Sequence, residues 1–156
     1  MKLQEMDRSK FDDLRPQIQR GVQWAAGHSL NHAAVAALRL GLPFPPYPAD
    51  GALVMETFGR RSGKRRLVPM GCLKDADRLL VVAEHGRRSD WLRNALAAPH
   101  SSVRLWLAGR PFTGRVHVLG GEDAEDLLAR IGNKVHTATI RAMAHDPCVV
   151  AIDLEP

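Results

Sequence analysis

The fold is decided by residues 102–118, which read SVRLWLAGRPFTGRVHV. Two runs in this stretch alternate apolar residues with other residues, which is the period-2 pattern of a β-strand buried on one face. Between the runs, Ala108-Gly109 supplies turn chemistry. The stretch predicts a half-buried β-hairpin with Arg104, Trp106 and His117 on its outer face, which we expect to be covered by the N-terminal helices or by a partner subunit.

Four more strands are predicted around this hairpin. They cover residues 53–58, 66–73, 78–83 and 148–154, where apolar runs are bounded by turn residues. The first three have short connections and are expected to form a meander. Six short, mainly antiparallel strands predict an α+β fold with a small barrel or strongly curved sheet, because closing a sheet removes its exposed edges.

Helices are predicted ahead of the strands and between them. Apolar spacing and capping residues place them near residues 13–26, 29–40, 89–98, 122–131 and 134–143. The proline-rich run over residues 43–48 is typical of a stiff connector and less often of a ligand for a proline-reading domain. The chain of 156 residues is therefore interpreted as one domain, with a helical extension over residues 1–42 and a barrel over residues 51–156.

The composition favours a cytoplasmic protein. The polar N-terminus lacks the apolar segment of a secretory signal, and no apolar run is long enough to cross a membrane. Cys72 and Cys148 lie far apart, without C-x-x-C spacing, and are expected to be inert buried thiols. His28 and His32 have i, i+4 spacing but no evident third ligand, so no metal site is expected.

Positive charge is concentrated in the middle of the chain. The net charge is +5, yet residues 59–115 carry 13 Lys or Arg against 4 Asp or Glu. The rest of the chain has 9 basic residues against 13 acidic ones. A local field of this kind attracts anions, so the loops that carry the charge indicate the class of ligand.

The first of these loops covers residues 59–66, GRRSGKRR. Gly59 and Gly63 permit positive φ, so that the backbone can present N–H groups while Arg60 and Arg61 approach the same anion. Three residues separate the glycines, and Arg65 stands where a magnesium-binding Ser or Thr would be needed, so this is not a Walker A loop. The pattern predicts an anion-binding turn.

A second basic loop covers residues 85–90, HGRRSD, and leads into a helix for which Ser89 is the predicted N-cap. In a meander the first and third strands run in the same direction, so the two basic loops should lie at one end of the sheet. Their convergence predicts an elongated ligand with more than one negative group. His85 could contact this ligand, and it is the sole candidate for a catalytic acid.

Four segments together resemble the deazaflavin-dependent nitroreductase family. They are residues 57–69, TFGRRSGKRRLVP, residues 80–83, LVVA, residues 91–94, WLRN, and the hairpin turn at residues 109–110, GR. The resemblance covers about residues 53–118. It implies a split β-barrel, expected to be a homodimer, that binds coenzyme F-420 and passes hydride from its reduced ring to an acceptor.

The resemblance also implies roles for individual residues. Arg61, Lys64 and Arg66 would hold the phosphate and oligoglutamate tail of the coenzyme, and Pro69 would lie beside its ring. The full set of candidate cofactor-binding residues is Arg60, Arg61, Ser62, Lys64, Arg66, Pro69, His85, Arg87, Arg88 and Trp91. FMN is the less favoured cofactor. Glu84-His85 replaces the Ser-Lys that family members often carry, and no acceptor contact is carried over.

Three functions are compatible with these features. The leading hypothesis is an oxidoreductase that transfers hydride from reduced F-420 to a small electron-poor acceptor of the quinone, nitro or enone type. The alternative is a non-catalytic protein that binds a lipid or small anion on the same barrel. Nucleic-acid binding is disfavoured, because neither basic loop contains an aromatic residue on which a base could stack.

Overall fold

The structure, a computed structural model, describes residues 29–45, 51–131 and 134–156. The chain divides into two compact units, residues 1–33 and residues 34–156. Of the first unit, residues 29–33 are described, and they are helical. The helix predicted near residues 13–26 and the end of the proline-rich run, from residue 46, lie outside the described residues.

The described part contains four helices and seven strands. The helices are α1 (residues 29–39), α2 (Asp90–Ala97), α3 (Ala124–Arg130) and α4 (Lys134–Met143). The strands are β1 (Ala52–Phe58), β2 (Arg65–Gly71), β3 (Leu73–Asp75), β4 (Arg78–Ala83), β5 (Ser102–Leu107), β6 (Arg110–Val118) and β7 (Cys148–Leu154). Two short 3-10 turns, Gly86–Arg88 and Pro99–Ser101, lie on either side of α2.

All seven strands form one antiparallel sheet in the order β2-β1-β5-β6-β7-β4-β3. Strands β2 and β3 lie at its two edges, yet Cys72 alone separates them in sequence. Neighbouring Cα atoms are about 3.8 Å apart, so the sheet has to curl until its edges meet. The expected α+β barrel is confirmed, although the strand predicted over residues 66–73 is broken at Cys72 and pairs with β1 and β4 through its two parts.

The inside of the barrel is filled by alternate strand residues. Those fully buried and largest are Leu53, Met55, Leu79, Val81, Leu105, Val116, Val150 and Ile152. Helix α2 adds Leu92 and Ala95 to this cluster. Because these inward positions repeat every second residue, the neighbouring positions on each strand point outward.

One part of the outer surface is covered by α1. Val35 and Leu38 pack on Val54 and Trp106 in a second apolar cluster. The Arg39 Cζ lies 4.4 Å from the centroid of the Trp106 ring, within cation–π range. Trp106 is therefore on the outer face as predicted, and the Val35, Leu38 and Arg39 side chains of α1 pack on it.

Another part of the outer surface is covered by α3. Leu127, Leu128 and Ile131 pack against Leu80 and Val82 of β4. Helix α4 follows α3 and contacts it through the Thr137 hydroxyl, which donates to the Leu128 carbonyl at 3.1 Å. The β1–β2 turn lies at one end of the barrel, where Arg60 contacts Asp90 and Asn94 of α2.

Candidate functional site

The turn between β1 and β2 is closed by its own backbone. Gly59 N donates to Lys64 O at 2.8 Å, and Gly63 N donates to Gly59 O at 2.7 Å. Lys64 N donates to Ser62 Oγ at 3.3 Å, and Gly63 has φ of +66°, a conformation that glycine adopts without strain. The N–H groups of Gly59, Gly63 and Lys64 are thus used within the turn and do not face an anion.

Arg60 is directed towards helix α2. Its backbone N and its Nη1 donate to Asn94 Oδ1 at 3.2 and 3.1 Å, and Nη1 also donates to Asp90 Oδ1 at 3.1 Å. Asn94 is 8% exposed, so the turn is anchored on a buried side chain. The turn is thereby joined to the helix that follows the second basic loop.

The other cations of the turn differ in whether they are paired. Arg65 donates to Glu56 on β1 and forms an ion pair with it. Arg61, Lys64 and Arg66 are exposed, and within the described part of the chain no carboxylate lies within ion-pair distance of them. Three positive charges are therefore available to an anionic ligand at this end of the barrel.

The second basic loop is held by the segment before β7. His145 N donates to Glu84 O at 2.8 Å, and a Cβ built on Gly86, at φ +53°, would lie 2.2 Å from Asp146 O. The Ser89 hydroxyl accepts from His85 N at 3.3 Å and does not cap α2, although Ser89 is the N-cap residue. The predicted capping bond is wrong, since the hydroxyl is used within the loop.

The two basic loops lie at the same end of the barrel, as predicted. Four antiparallel pairings lead from β1 to β4 in the sheet order. Because four is an even number, the two strands run in the same direction. Arg60 links the first loop to α2. His85, Arg87 and Arg88 are exposed on the second loop. The sequence-predicted cations of both loops therefore lie at one end of the barrel, with Arg60 directed towards α2.

Two other candidates, Trp91 and Pro69, are half-buried. Trp91 is half-buried and packs against the barrel core. Pro69 lines a gap of about 30 Å³ whose other walls come from β4, α3 and α4. Ligand pockets usually measure roughly 300–1,000 Å³, so this gap has no room for a tricyclic ring.

A cavity that sequence reasoning missed lies beside the turn. It measures about 260 Å³ and is bounded by the end of β1, the C-terminal half of α2 and the start of β5. Its lining includes Thr57, Phe58, Asn94 and Arg104. Thr57 is 3% exposed, and its hydroxyl has no hydrogen-bond partner among the described residues. The one signal in the sequence was a hydroxyl at an inward-facing strand position.

Other chemistry is limited in the described part of the chain. Within residues 29–45, 51–131 and 134–156, no group of three His, Cys, Asp or Glu could hold a metal ion, and His28 lies outside these residues. Cys72 is buried, as predicted, whereas Cys148 is only half-buried. Burial raises the pKa of Cys148, while nearby Arg87 lowers it and Asp146 raises it. Among the described helices, none has the length and apolar character needed to span a membrane.

The chain matches one family model. The model is described as F420H(2)-dependent quinone reductase, and it matches residues 31–153. This match covers the barrel and most of α1, and it confirms the resemblance seen in the turn, the proline and the Trp-x-x-Asn helix. No curated protein matches the chain.

Solved structures match at low sequence identity. One described as a domain-swapped dimer is 18% identical, with a TM-score of 0.50 over 86% of this chain and 98% of that chain. A protein of unknown function from Agrobacterium tumefaciens is 15% identical, with a TM-score of 0.52 over 80% of this chain and 55% of that chain. An F420-H2 dependent reductase, FDR-A, is 21% identical, with a TM-score of 0.46 over 65% of this chain and 93% of that chain. At these identities the likeness concerns the fold alone, which is the expected split barrel.

Proposed function

The chain belongs to the F420H(2)-dependent quinone reductase family, and from this membership we propose that it transfers hydride from reduced coenzyme F-420 to a small electron-poor acceptor. Coenzyme F-420 is the cofactor of this family, whose members are oxidoreductases. We include quinones, nitro compounds and enones among the acceptors. The coenzyme supplies the hydride, and the protein binds and orients it.

The observation that carries this proposal is the set of unpaired cations in the β1–β2 turn. Arg61, Lys64 and Arg66 are exposed and have no carboxylate partner among the described residues. A phosphate and oligoglutamate tail carries several negative groups, and guanidinium forks bind such groups bidentately. Arg87 and Arg88 on the second loop extend the positive surface to an elongated ligand. The residues present therefore fit the tail of the coenzyme.

The gap beside Pro69 does not accommodate the ring of the coenzyme. The gap beside Pro69 measures about 30 Å³, which is too small for it. Its walls include Val82 of β4 and Leu128 and Ile131 of α3. The lining is mostly apolar but includes Glu84, and the volume is too small for a flat ring, so we derive no step of hydride transfer from this gap. We keep His85 as a candidate contact of the ligand.

The test is a fluorescence titration of coenzyme F-420 into the wild type, Arg61→Ala, Arg66→Ala and the control Arg78→Ala. Arg78 is paired with Asp75 at the far end of β4, so its loss should leave binding unchanged. Loss of a hydrogen bond to a charged group costs about 1.5 kcal/mol or more, so each turn variant should bind at least roughly tenfold more weakly. Consumption of the reduced coenzyme with a quinone, a nitro compound and an enone then identifies the acceptor class.

Absence of wild-type binding at high micromolar coenzyme would exclude the proposed oxidoreductase. One observation favours a second candidate in that case, a protein that binds a small anion without catalysis. The anion-binding side chains are in place, whereas the gap beside Pro69 lacks room for a ring. Binding of inorganic phosphate or a fatty acid without coenzyme binding would support this second candidate.

We also propose that the protein is a homodimer. A structural neighbour is described as a domain-swapped dimer, and it covers 86% of this chain. Leu40 and Leu42, just after α1, are 75% and 54% exposed, and a partner subunit would cover such apolar surface. Light scattering at micromolar concentration should give twice the chain mass of 17.2 kDa. A mass of one chain would exclude the dimer.

A further inference from the structure

Two of the five cations in the β1–β2 turn are engaged with the rest of the protein. Arg60, at the start of the turn, contacts Asn94 and Asp90 of α2. Arg65, at its end, contacts Glu56 of β1. The three cations without partners among the described residues, Arg61, Lys64 and Arg66, lie next to these two in sequence. The paired residues therefore anchor the two ends of the turn, and the unpaired ones remain available.

The anchor at Arg60 has a buried acceptor at its centre. Asn94 Oδ1 accepts from both the backbone N and the Nη1 of Arg60, at 3.2 and 3.1 Å. The side chain of Arg60 is 25% exposed, whereas Asp90, its other partner, is 80% exposed. An ion pair with so exposed a carboxylate contributes little, so the buried amide is the main contact. The backbone bond also fixes the position of the residue directly before Arg61.

Fixing the turn matters because like charges crowd it. Five Lys or Arg side chains lie between residues 60 and 66, and they repel one another before any anion binds. Binding is tighter when the groups that contact the ligand are already ordered, since less freedom is lost on association. An anchor on a buried, neutral side chain orders the turn without consuming the charges that the ligand needs.

We propose that Asn94 and Arg60 are positioning residues, which hold the turn in its anion-binding conformation without contacting the anion. This role rests on the proposed binding of a polyanionic coenzyme by the same turn. It separates Arg60 from its neighbour Arg61, although sequence alone assigns both to the ligand. It also gives a function to Asn94, whose carboxamide otherwise lies buried in the wall of the cavity beside the turn.

The experiment measures the affinity of inorganic tripolyphosphate and of coenzyme F-420 by titration at several salt concentrations. The variants are Asn94→Ala, Arg61→Ala and, as a matched control on α2, Arg93→Ala, which removes an exposed charge that has no ion pair with a described residue. The slope of log affinity against log salt reports the number of ionic contacts with a polyanion. Asn94→Ala should weaken both probes about tenfold at an unchanged slope, whereas Arg61→Ala should weaken them and reduce the slope.

A second readout follows the turn itself. Hydrogen exchange of the Arg60 amide should be faster in Asn94→Ala and restored in Asn94→Asp, because aspartate keeps the acceptor oxygen. Should Asn94→Ala fail to fold, Arg60→Gln replaces it, and the proposal then requires a larger loss of affinity than Arg93→Ala causes.

The outcomes separate this proposal from the proposed function. Wild-type binding that Asn94→Ala leaves intact would overturn the positioning role alone. A reduced salt slope in Arg60→Gln would also overturn it, because that result would mean that the Arg60 cation itself contacts the anion. A wild type that binds neither probe would overturn both proposals.

Discussion

The β1–β2 turn and the β3–β4 turn join antiparallel strands in the same barrel, and both are charged, yet their charges are used differently. In the β3–β4 turn, Arg78 Nη2 lies 2.7 Å from Asp75 Oδ2, so its cation is neutralised within the turn. In the β1–β2 turn, Arg61, Lys64 and Arg66 have no such partner among the described residues. The difference teaches that pairing, rather than the presence of charge, separates a candidate site from a solvated turn.

Cavity size would favour the β3–β4 turn as the binding site, and it is a weaker indicator than charge pairing. The open cavity beside the β3–β4 turn measures about 520 Å³, against about 260 Å³ beside the β1–β2 turn. The larger one is lined by Asp75, Asp77, Arg78 and Asp153, whose net charge would repel a polyanion. The smaller one contains a buried hydroxyl, Thr57, without a partner among the described residues. Unpaired polar groups therefore favour the β1–β2 turn as the candidate site, whereas volume favours the β3–β4 turn.

The largest effect is expected from reversing charge in the two turns. Arg61→Glu with Arg66→Glu should weaken binding of coenzyme F-420 by at least about 100-fold, because two charge-assisted contacts of about 1.5 kcal/mol or more are lost and two repulsions are added. Arg78→Glu in the β3–β4 turn should leave the affinity within about twofold, since a charge already paired contributes little at a distance. Fluorescence titration of the three proteins checks both. Equal losses for both turns would mean that the general field of the protein, rather than these side chains, holds the ligand.

The next largest effect is on stability and comes from a glycine in the second basic loop, residues 85–90. A Cβ on Gly86 would lie 2.2 Å from the Asp146 carbonyl oxygen, at φ +53°. Gly86→Ala should therefore lower the free energy of unfolding by about 2 kcal/mol, since the backbone has to shift and the residue is strained. Gly120→Ala is the matched control, because its Cβ would meet nothing within 4 Å and its φ is not positive. Urea denaturation of both variants measures the difference, and a Gly86→Ala protein as stable as the control would contradict the packing of this loop.

The strands were predictable from sequence because their information is local. Alternation along residues 102–118 placed Trp106 outside and Leu105 inside, as observed. The acidic residues expected to open a helix do so, and Asp123 caps α3 by accepting from the Glu125 and Asp126 N–H groups. Period and capping depend on near neighbours in the chain, so a single sequence contains them.

The site was predictable only in part, because its contacts are long-range. Charge and glycine spacing located the turn, but the contact of Arg60 with Asn94 spans 34 residues and has no local signal. Likewise, the packing of half-buried Trp91 on the barrel core has no local signal, and its contact with a ligand stays a prediction. The bend at Cys72 was missed, although Gly71 directly before it is a residue type that often marks a bend within a strand. Sequence thus located the loops and could not orient their side chains.

A smaller effect is expected from exchanging glycine and alanine at the left-handed backbone positions of the two turns. Gly63 has φ +66° and open space around its Cβ position, while Ala76 in the β3–β4 turn has φ +51°. Left-handed conformation costs a non-glycine residue roughly 1 kcal/mol, so Gly63→Ala should destabilise the protein by less than about 1 kcal/mol, because the lower entropy of the unfolded chain offsets part of the strain. Ala76→Gly should stabilise it by less than about 1 kcal/mol, because relief of strain is offset by the greater entropy of the unfolded chain. Opposite signs in urea denaturation support the assignment, and equal signs would contradict it.

The smallest effect is expected in the alkylation rate of Cys148, which depends on the charges of the second basic loop. Burial raises the pKa of the Cys148 thiol, Arg87 lowers it, and Asp146 raises it. Since the thiolate is the reactive form, Cys148 should be alkylated by iodoacetamide at pH 8 more slowly than a cysteine in an unfolded peptide. Arg87→Ala should slow the reaction further, because it removes the cation that favours the thiolate, and Asp146→Asn should accelerate it. Mass spectrometry of the Cys148 peptide over time measures these rates. Faster alkylation in Arg87→Ala would mean that the guanidinium shields the sulfur sterically, and Arg87 would then lie against Cys148 rather than being free to bind an anion beside the β1–β2 turn.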